Sequence, residues 1–136
     1  MNKYTYEDIE IGMEESFEAA ITDKEMAAFR NLTGDENPLH RDYDFAHSKD
    51  FEAPVVYGML TASYLSTLAG VYLPGENSLI QSMDIKFMAP VYPGDKLLIE
   101  GKVDFKDDRY RIIRLKVSIR VMDGKKVLRG TMTIKM

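Results

Sequence analysis

Asp35 and His40 close the segment Asp35-Glu36-Asn37-Pro38-Leu39-His40 at its two ends, and Gly58-Met59-Leu60 begins 18 positions beyond the histidine. A carboxylate and an imidazole that share one water can move protons on and off a substrate, which is general acid–base catalysis. Pro38 stops any helix between them and restricts the residue before it, so the loop is conformationally narrow. Gly58 opens a long uncharged segment that reads as a helix. Its first amides lack partners within the helix and are free to hold an oxyanion as it develops. Asp35, His40 and Gly58 are therefore the candidate catalytic set. Asn37 reads as a residue that fixes the loop by bonding nearby backbone, as Asn does in turns.

The elements that must position these groups fall into two halves. Thr22-Asp23-Lys24-Glu25 is a capping-box pattern, followed by Met26, Ala27, Phe29 and Leu32 at helical spacing. Thr33-Gly34 is the expected stop, so the Asp35 loop begins directly at a helix end. Arg41 to Glu52 is expected to hold one short, irregular helical piece with polar residues, His47 being solvated. Val55 to Pro74 contains no charged residue. A helix from Gly58 to Leu73 is apolar around most of its circumference, which means burial in protein or in a bilayer. Four hydroxyl residues (Thr61, Ser63, Ser66, Thr67) favour protein, and Ser63 is expected to bond back to a helix carbonyl.

The second half alternates. Leu97, Ile99, Gly101, Val103 and Phe105 share one face of a predicted strand; Ile113, Leu115, Val117, Ile119 and Val121 share one face of the next. Leu128, Gly130, Met132 and Ile134 do the same in a third. Such period-two patterning specifies antiparallel strands with one buried face. Asp107-Asp108 and Asp123-Gly124 supply the hairpin turns. Ser78 to Met88 adds another strand, broken before Ala89-Pro90. The inner face of this sheet needs an apolar cover, and the uncharged helix is the element able to supply it. The expected fold is α+β, an antiparallel sheet wrapped around one long buried helix.

Composition narrows the function classes. The 136 residues, 45% hydrophobic and 29% charged, are those of one globular domain over 1–136 with a real core. The chain has no cysteine, which removes disulfides and thiolate chemistry. Its two histidines, His40 and His47, show no metal-ligand spacing, so no metal is expected. A formal charge of −4 argues against nucleic acid as partner but leaves room for an anionic carrier held by a few cations. The residues Met1 to Asp8 lack the basic and apolar regions of a signal peptide, which makes cytoplasm the expected location.

Three blocks carry a family resemblance: Phe29 to Asp42 with its D-x-N-P-x-H element, Phe51 to Leu60 with the Gly-Met-Leu helix start, and Phe87 to Asp95 with Pro93-Gly94-Asp95. Together with the layout, they resemble the hot-dog fold of the MaoC-like (R)-specific enoyl-CoA hydratases and dehydratases. The resemblance implies water addition across a trans-2-enoyl thioester to give an (R)-3-hydroxyacyl thioester, or the reverse dehydration. By position it implies that Asp35 is the principal base and returns a proton to the α-carbon. His40 would orient and polarise the same water, and the Gly58 amide would hold the thioester oxyanion. Ser66 matches a serine of the family's pocket. Met59, Met83 and Met88 are candidates to line an acyl tunnel, since methionine adapts to irregular cavities. Tyr57 stands where the family usually has histidine, immediately before the helix glycine, and is expected to reshape the substrate pocket. No cofactor is implied.

The resemblance implies a substrate carried on coenzyme A or an acyl carrier protein; Lys86, Lys96 and Arg111 are the candidate phosphate ligands, and nothing in their spacing selects among them. The resemblance also implies a homodimer or a higher assembly of dimers. Two other readings remain open. A hot-dog thioesterase usually carries its catalytic carboxylate on the central helix, and Gly58 to Leu73 has none. A non-catalytic acyl-thioester-binding module has no need of the Asp35–His40 pair.

Overall fold

A computed structural model describes residues 1–136, and its elements follow the local signals of the sequence. The capping box begins α1 (Asp23–Thr33), where the Thr22 N–H donates to Glu25 Oε2 at 2.8 Å. Gly34 ends it in the left-handed region at φ 74°, a conformation that glycine adopts without a Cβ penalty. A short 3-10 turn, Pro38–His40, and the six-residue α2 (Tyr43–Ser48) follow, so the irregular helical piece lies where expected. The charge-free stretch forms α3 (Gly58–Thr67) and continues as a π-helical turn, Leu68–Tyr72.

Five antiparallel strands make one sheet in the order β1-β3-β4-β5-β2. They are β1 (Glu14–Ala20), β2 (Leu79–Phe87), β3 (Lys96–Asp107), β4 (Ile112–Val121) and β5 (Lys126–Lys135). The predicted alternation sets the faces: Leu97, Ile99, Val103, Ile113, Leu115, Val117, Ile119, Leu128, Met132 and Ile134 all point into the core. That core is one cluster of 23 buried residues, to which α3 and its π turn contribute Ala62, Leu65, Leu68 and Ala69. Each fully buried leucine here stabilises the fold by about 1.5–3 kcal/mol relative to exposure. The sheet wraps around the helix, as the patterning required.

Three details differ from the sequence reading. β1 was not foreseen. Its alternating members are Glu15, Phe17 and Ala19, and Glu and Ala are poor strand signals, but Phe17 stacks on Tyr72 with centroids 4.7 Å apart and covers the end of the central helix. Phe105 does not continue the buried face of β3. A bulge between Val103 and Phe105 turns it outward, where the Arg114 guanidinium lies 5.4 Å above its ring. The central helix is buried on only one side. Met59, Ser63 and Ser66, at helical spacing, form an exposed stripe along the other.

Closeness of helix and sheet rests on Gly101. A Cβ at this position would lie 2.8 Å from Leu68 Cδ2, inside van der Waals contact. Gly101→Val is expected to destabilise the fold by about 1–3 kcal/mol through overpacking. The midpoint of urea unfolding checks this.

Candidate active site

The Asp35–His40 loop is built from short-range bonds. The Asn37 N–H donates to Asp35 Oδ1 at 3.1 Å, and Asn37 Oδ1 accepts from the Leu39 N–H at 3.0 Å. Asn37 thus has the loop-fixing contact expected of it, at the N-cap of the Pro38–His40 turn. Longer-range bonds then stitch this loop to the strand-like segment that enters α3. The Val55 N–H donates to the Leu39 carbonyl at 3.2 Å, and the Val56 N–H donates to the Val91 carbonyl at 2.8 Å.

His40 is held through its ring. Nδ1 lies 2.7 Å from the Val55 carbonyl oxygen. A carbonyl only accepts, so Nδ1 carries the proton and Nε2 keeps its lone pair free. The imidazole also stacks on Tyr57, with centroids 4.0 Å apart and planes 28° from parallel. Tyr57 is 2% exposed and donates its hydroxyl to the Asp35 carbonyl oxygen at 2.9 Å. Burial pushes the ionisation of that hydroxyl up, which keeps it a donor at neutral pH.

A cavity of about 370 Å³ opens beside these groups. His40, Gly58 and Thr61 line it together with mostly apolar residues, among them Phe51, Val55, Phe87, Met88 and Val127. Gly58 is the first residue of α3, so its N–H has no acceptor within the helix. Its lack of a side chain leaves room for Phe87, whose ring would lie 3.2 Å from a Cβ there. An apolar cleft with an imidazole and a free helix amide suits an acyl group whose carbonyl needs a hydrogen-bond donor.

The remaining sequence candidates do not line this cavity. Asp35 is exposed on the same loop, five positions before His40, with its backbone carbonyl bonded to the Tyr57 hydroxyl and its Oδ2 free of protein partners. Tyr57 backs the catalytic candidates and does not line the cavity. Met59 and Ser66 lie on the exposed stripe of α3, and neither lines it. Ser63 bonds back to the Leu60 carbonyl at 2.6 Å, as its helical setting predicts. His47 is exposed and its Nε2 lies 2.7 Å from the Glu52 carbonyl oxygen.

Of the phosphate candidates, Lys86 faces a charged hollow of about 950 Å³ on the outer face of the sheet, away from the cavity. Arg111 is committed to Glu7 through bonds of 2.6 and 3.1 Å, which hold the Glu7 carboxyl down to about 2. Lys96 is exposed at the start of β3.

The model of the "MaoC like domain" matches residues 7–125. The chain belongs to the MaoC-like domain family. It is 34% identical over 128 residues to an (R)-specific enoyl-CoA hydratase of Aeromonas caviae, covering 94% of this chain and 96% of that one. With the (R)-specific enoyl-CoA hydratase of Rhodospirillum rubrum the identity is 30% over 129 residues, covering 95% and 89%. The solved structure of an (R)-hydratase from A. caviae involved in PHA biosynthesis superimposes with a TM-score of 0.89 over 94% of this chain and 97% of that one. The sheet around its helix is thus a hot-dog fold.

Thr61 escaped the sequence reading, although its spacing of three from Gly58 puts both on one helix face. Its Oγ1 has no hydrogen-bond partner within the protein, and the residue lines the cavity.

Proposed function

We propose that this protein is an (R)-specific enoyl-thioester hydratase, running equally as a 3-hydroxyacyl-thioester dehydratase. The observation that carries the reading is His40: its Nδ1 is spent on the Val55 carbonyl, and its ring lines the apolar cavity beside the free amide of Gly58. A water held by His40 Nε2 and the Asp35 carboxylate attacks C3 of the enoyl thioester. Asp35 takes the water's proton as the C–O bond forms. The C2=C3 π electrons move onto the thioester carbonyl as an enolate, whose oxygen accepts from the Gly58 N–H. Asp35 then delivers the proton to C2, so one water is added and the carboxylate is restored. Dehydration follows the same steps backwards.

Oligomerisation supports the same site. β2 is a sheet edge, and it carries the exposed apolar side chains Leu79, Met83 and Phe87. An edge of this kind pairs readily with another strand, and a second copy of the chain is the partner proposed here. Such a partner is also what a substrate role for Met59 or Ser66 requires, because their side of α3 is open in the single chain. No helix is long and apolar enough to cross a membrane.

Crotonyl-CoA is the first substrate to offer, followed by loss of the enoyl absorbance. Asp35→Asn and His40→Ala are each expected to lower kcat by about 10²–10⁴-fold, the usual contribution of an acid–base group. Thiol release without hydration would show a thioesterase instead. Sedimentation equilibrium is expected to give twice the chain mass of 15.5 kDa, and Met83→Glu is expected to shift the protein toward monomer with loss of turnover.

A further inference from the structure

Tyr57 contacts both Asp35 and His40 and directly precedes Gly58 in the chain, and the structure assigns it a specific task. We propose that Tyr57 is the positioning residue that sets the acid–base pair in register with the oxyanion donor; this rests on the hydratase reading above. Its side-chain contacts and its place in the chain support it. The hydroxyl holds the peptide of Asp35 at 2.9 Å. The ring face packs on the His40 imidazole at 4.0 Å and is backed on Phe29 of α1 at 4.8 Å. The backbone is the N-cap of α3, so the next amide is that of Gly58.

Each contact fixes a different degree of freedom. Asp35 and His40 lie on the loop between α1 and α2, whereas Gly58 belongs to the central helix. The short bonds within the loop shape it but do not tie the Asp35 end to the helix. His40 is anchored at one ring nitrogen, which leaves rotation of the ring about that bond to be stopped by packing. The flat face of Tyr57 stops it. At the other end of the same ring, Oη reaches the Asp35 carbonyl, a contact that a ring without the hydroxyl cannot make. With only 2% exposure and the rings of His40 and Phe29 against it, the phenol ring has little room to move. A single rigid side chain therefore measures the spacing between Asp35, His40 and Gly58.

The catalytic demand explains why such a gauge matters. Proton transfer and oxyanion stabilisation act on atoms of one small substrate, and a misplacement near 1 Å costs about 10²-fold in rate. Tyr57 does not line the cavity, so its removal changes geometry and leaves the substrate-contacting wall intact.

Two variants separate its parts. Tyr57→Phe keeps the stack and removes the bond to Asp35; kcat for crotonyl-CoA hydration is expected to fall about tenfold, the cost of one hydrogen bond, with KM within about twofold. Tyr57→Leu removes both, and kcat is expected to fall by about 10²–10³-fold, again with little change in KM. In a His40→Ala background the Tyr57→Leu penalty is expected to shrink, because the ring it positions is gone. Imidazole resonances of His40 are followed by NMR in parallel. They are expected to shift on Tyr57→Leu, which takes away the aromatic face, and to change little on Tyr57→Phe.

Wild-type kcat in folded Tyr57→Phe and Tyr57→Leu proteins would overturn the proposal while leaving the hydratase reading in place. So would losses that only match the fraction unfolded in a thermal melt. A wild-type protein inactive on all enoyl thioesters would overturn the hydratase reading and, with it, the catalytic task of Tyr57. The His40 resonances would then still report whether Tyr57 holds the ring.

Discussion

Burial of an uncharged helix against a curved antiparallel sheet is the interaction on which the rest of this molecule depends. Leu65, Leu68 and Ala69 have no exposed surface, and Gly101 lets Leu68 approach the sheet more closely than any side chain there would allow. Because interiors are close-packed, this contact leaves the helix little freedom to slide or turn. Its N-terminus is therefore a fixed point. Gly58 and Tyr57 inherit that fixity, and through Tyr57 it passes to the loop that carries Asp35 and His40.

The polar chemistry is placed where the packing ends. Within the core the helix needs no polar side chain, and Thr61 is the one buried polar residue. At its start, the free amide of Gly58 and the His40 ring meet an apolar cavity, so polar groups are few and each has a defined direction. Backbone bonds do most of the stitching. Leu39 to Val55, His40 to Val55 and Val56 to Val91 join three segments distant in sequence into one wall of the site. None of these bonds depends on a charged pair, so they lie beyond the reach of salt screening.

Much of the fold was legible because it follows from local rules. A capping box and a C-terminal glycine delimit α1, period-two alternation defines β3, β4 and β5, and a run without charge marks the buried helix. What was missed shows where local rules stop. β1 pairs along its length with β3 despite two adjacent glutamates, since pairing energy comes from a neighbour the sequence does not show. Phe105 leaves the core because one bulge reverses the face of every later residue in its strand. The exposed stripe of α3 reads as apolar or neutral in sequence, and only packing reveals which side of it the sheet covers.

The same division runs through the site. Residue types and spacing alone determined the candidate chemistry: a carboxylate and an imidazole on a proline-restricted loop, and a helix that starts at glycine. These are short-range properties, written in neighbouring residues. Only the tertiary structure decided how the parts meet. It set the free nitrogen of His40 by giving Nδ1 a carbonyl from Val55, fifteen positions away. It set Tyr57 against the Asp35 carbonyl and the His40 ring and off the cavity wall, and it brought Thr61 to that wall. Such contacts depend on distances through space between segments that no local propensity relates, and they exist only once helix and sheet have closed on each other.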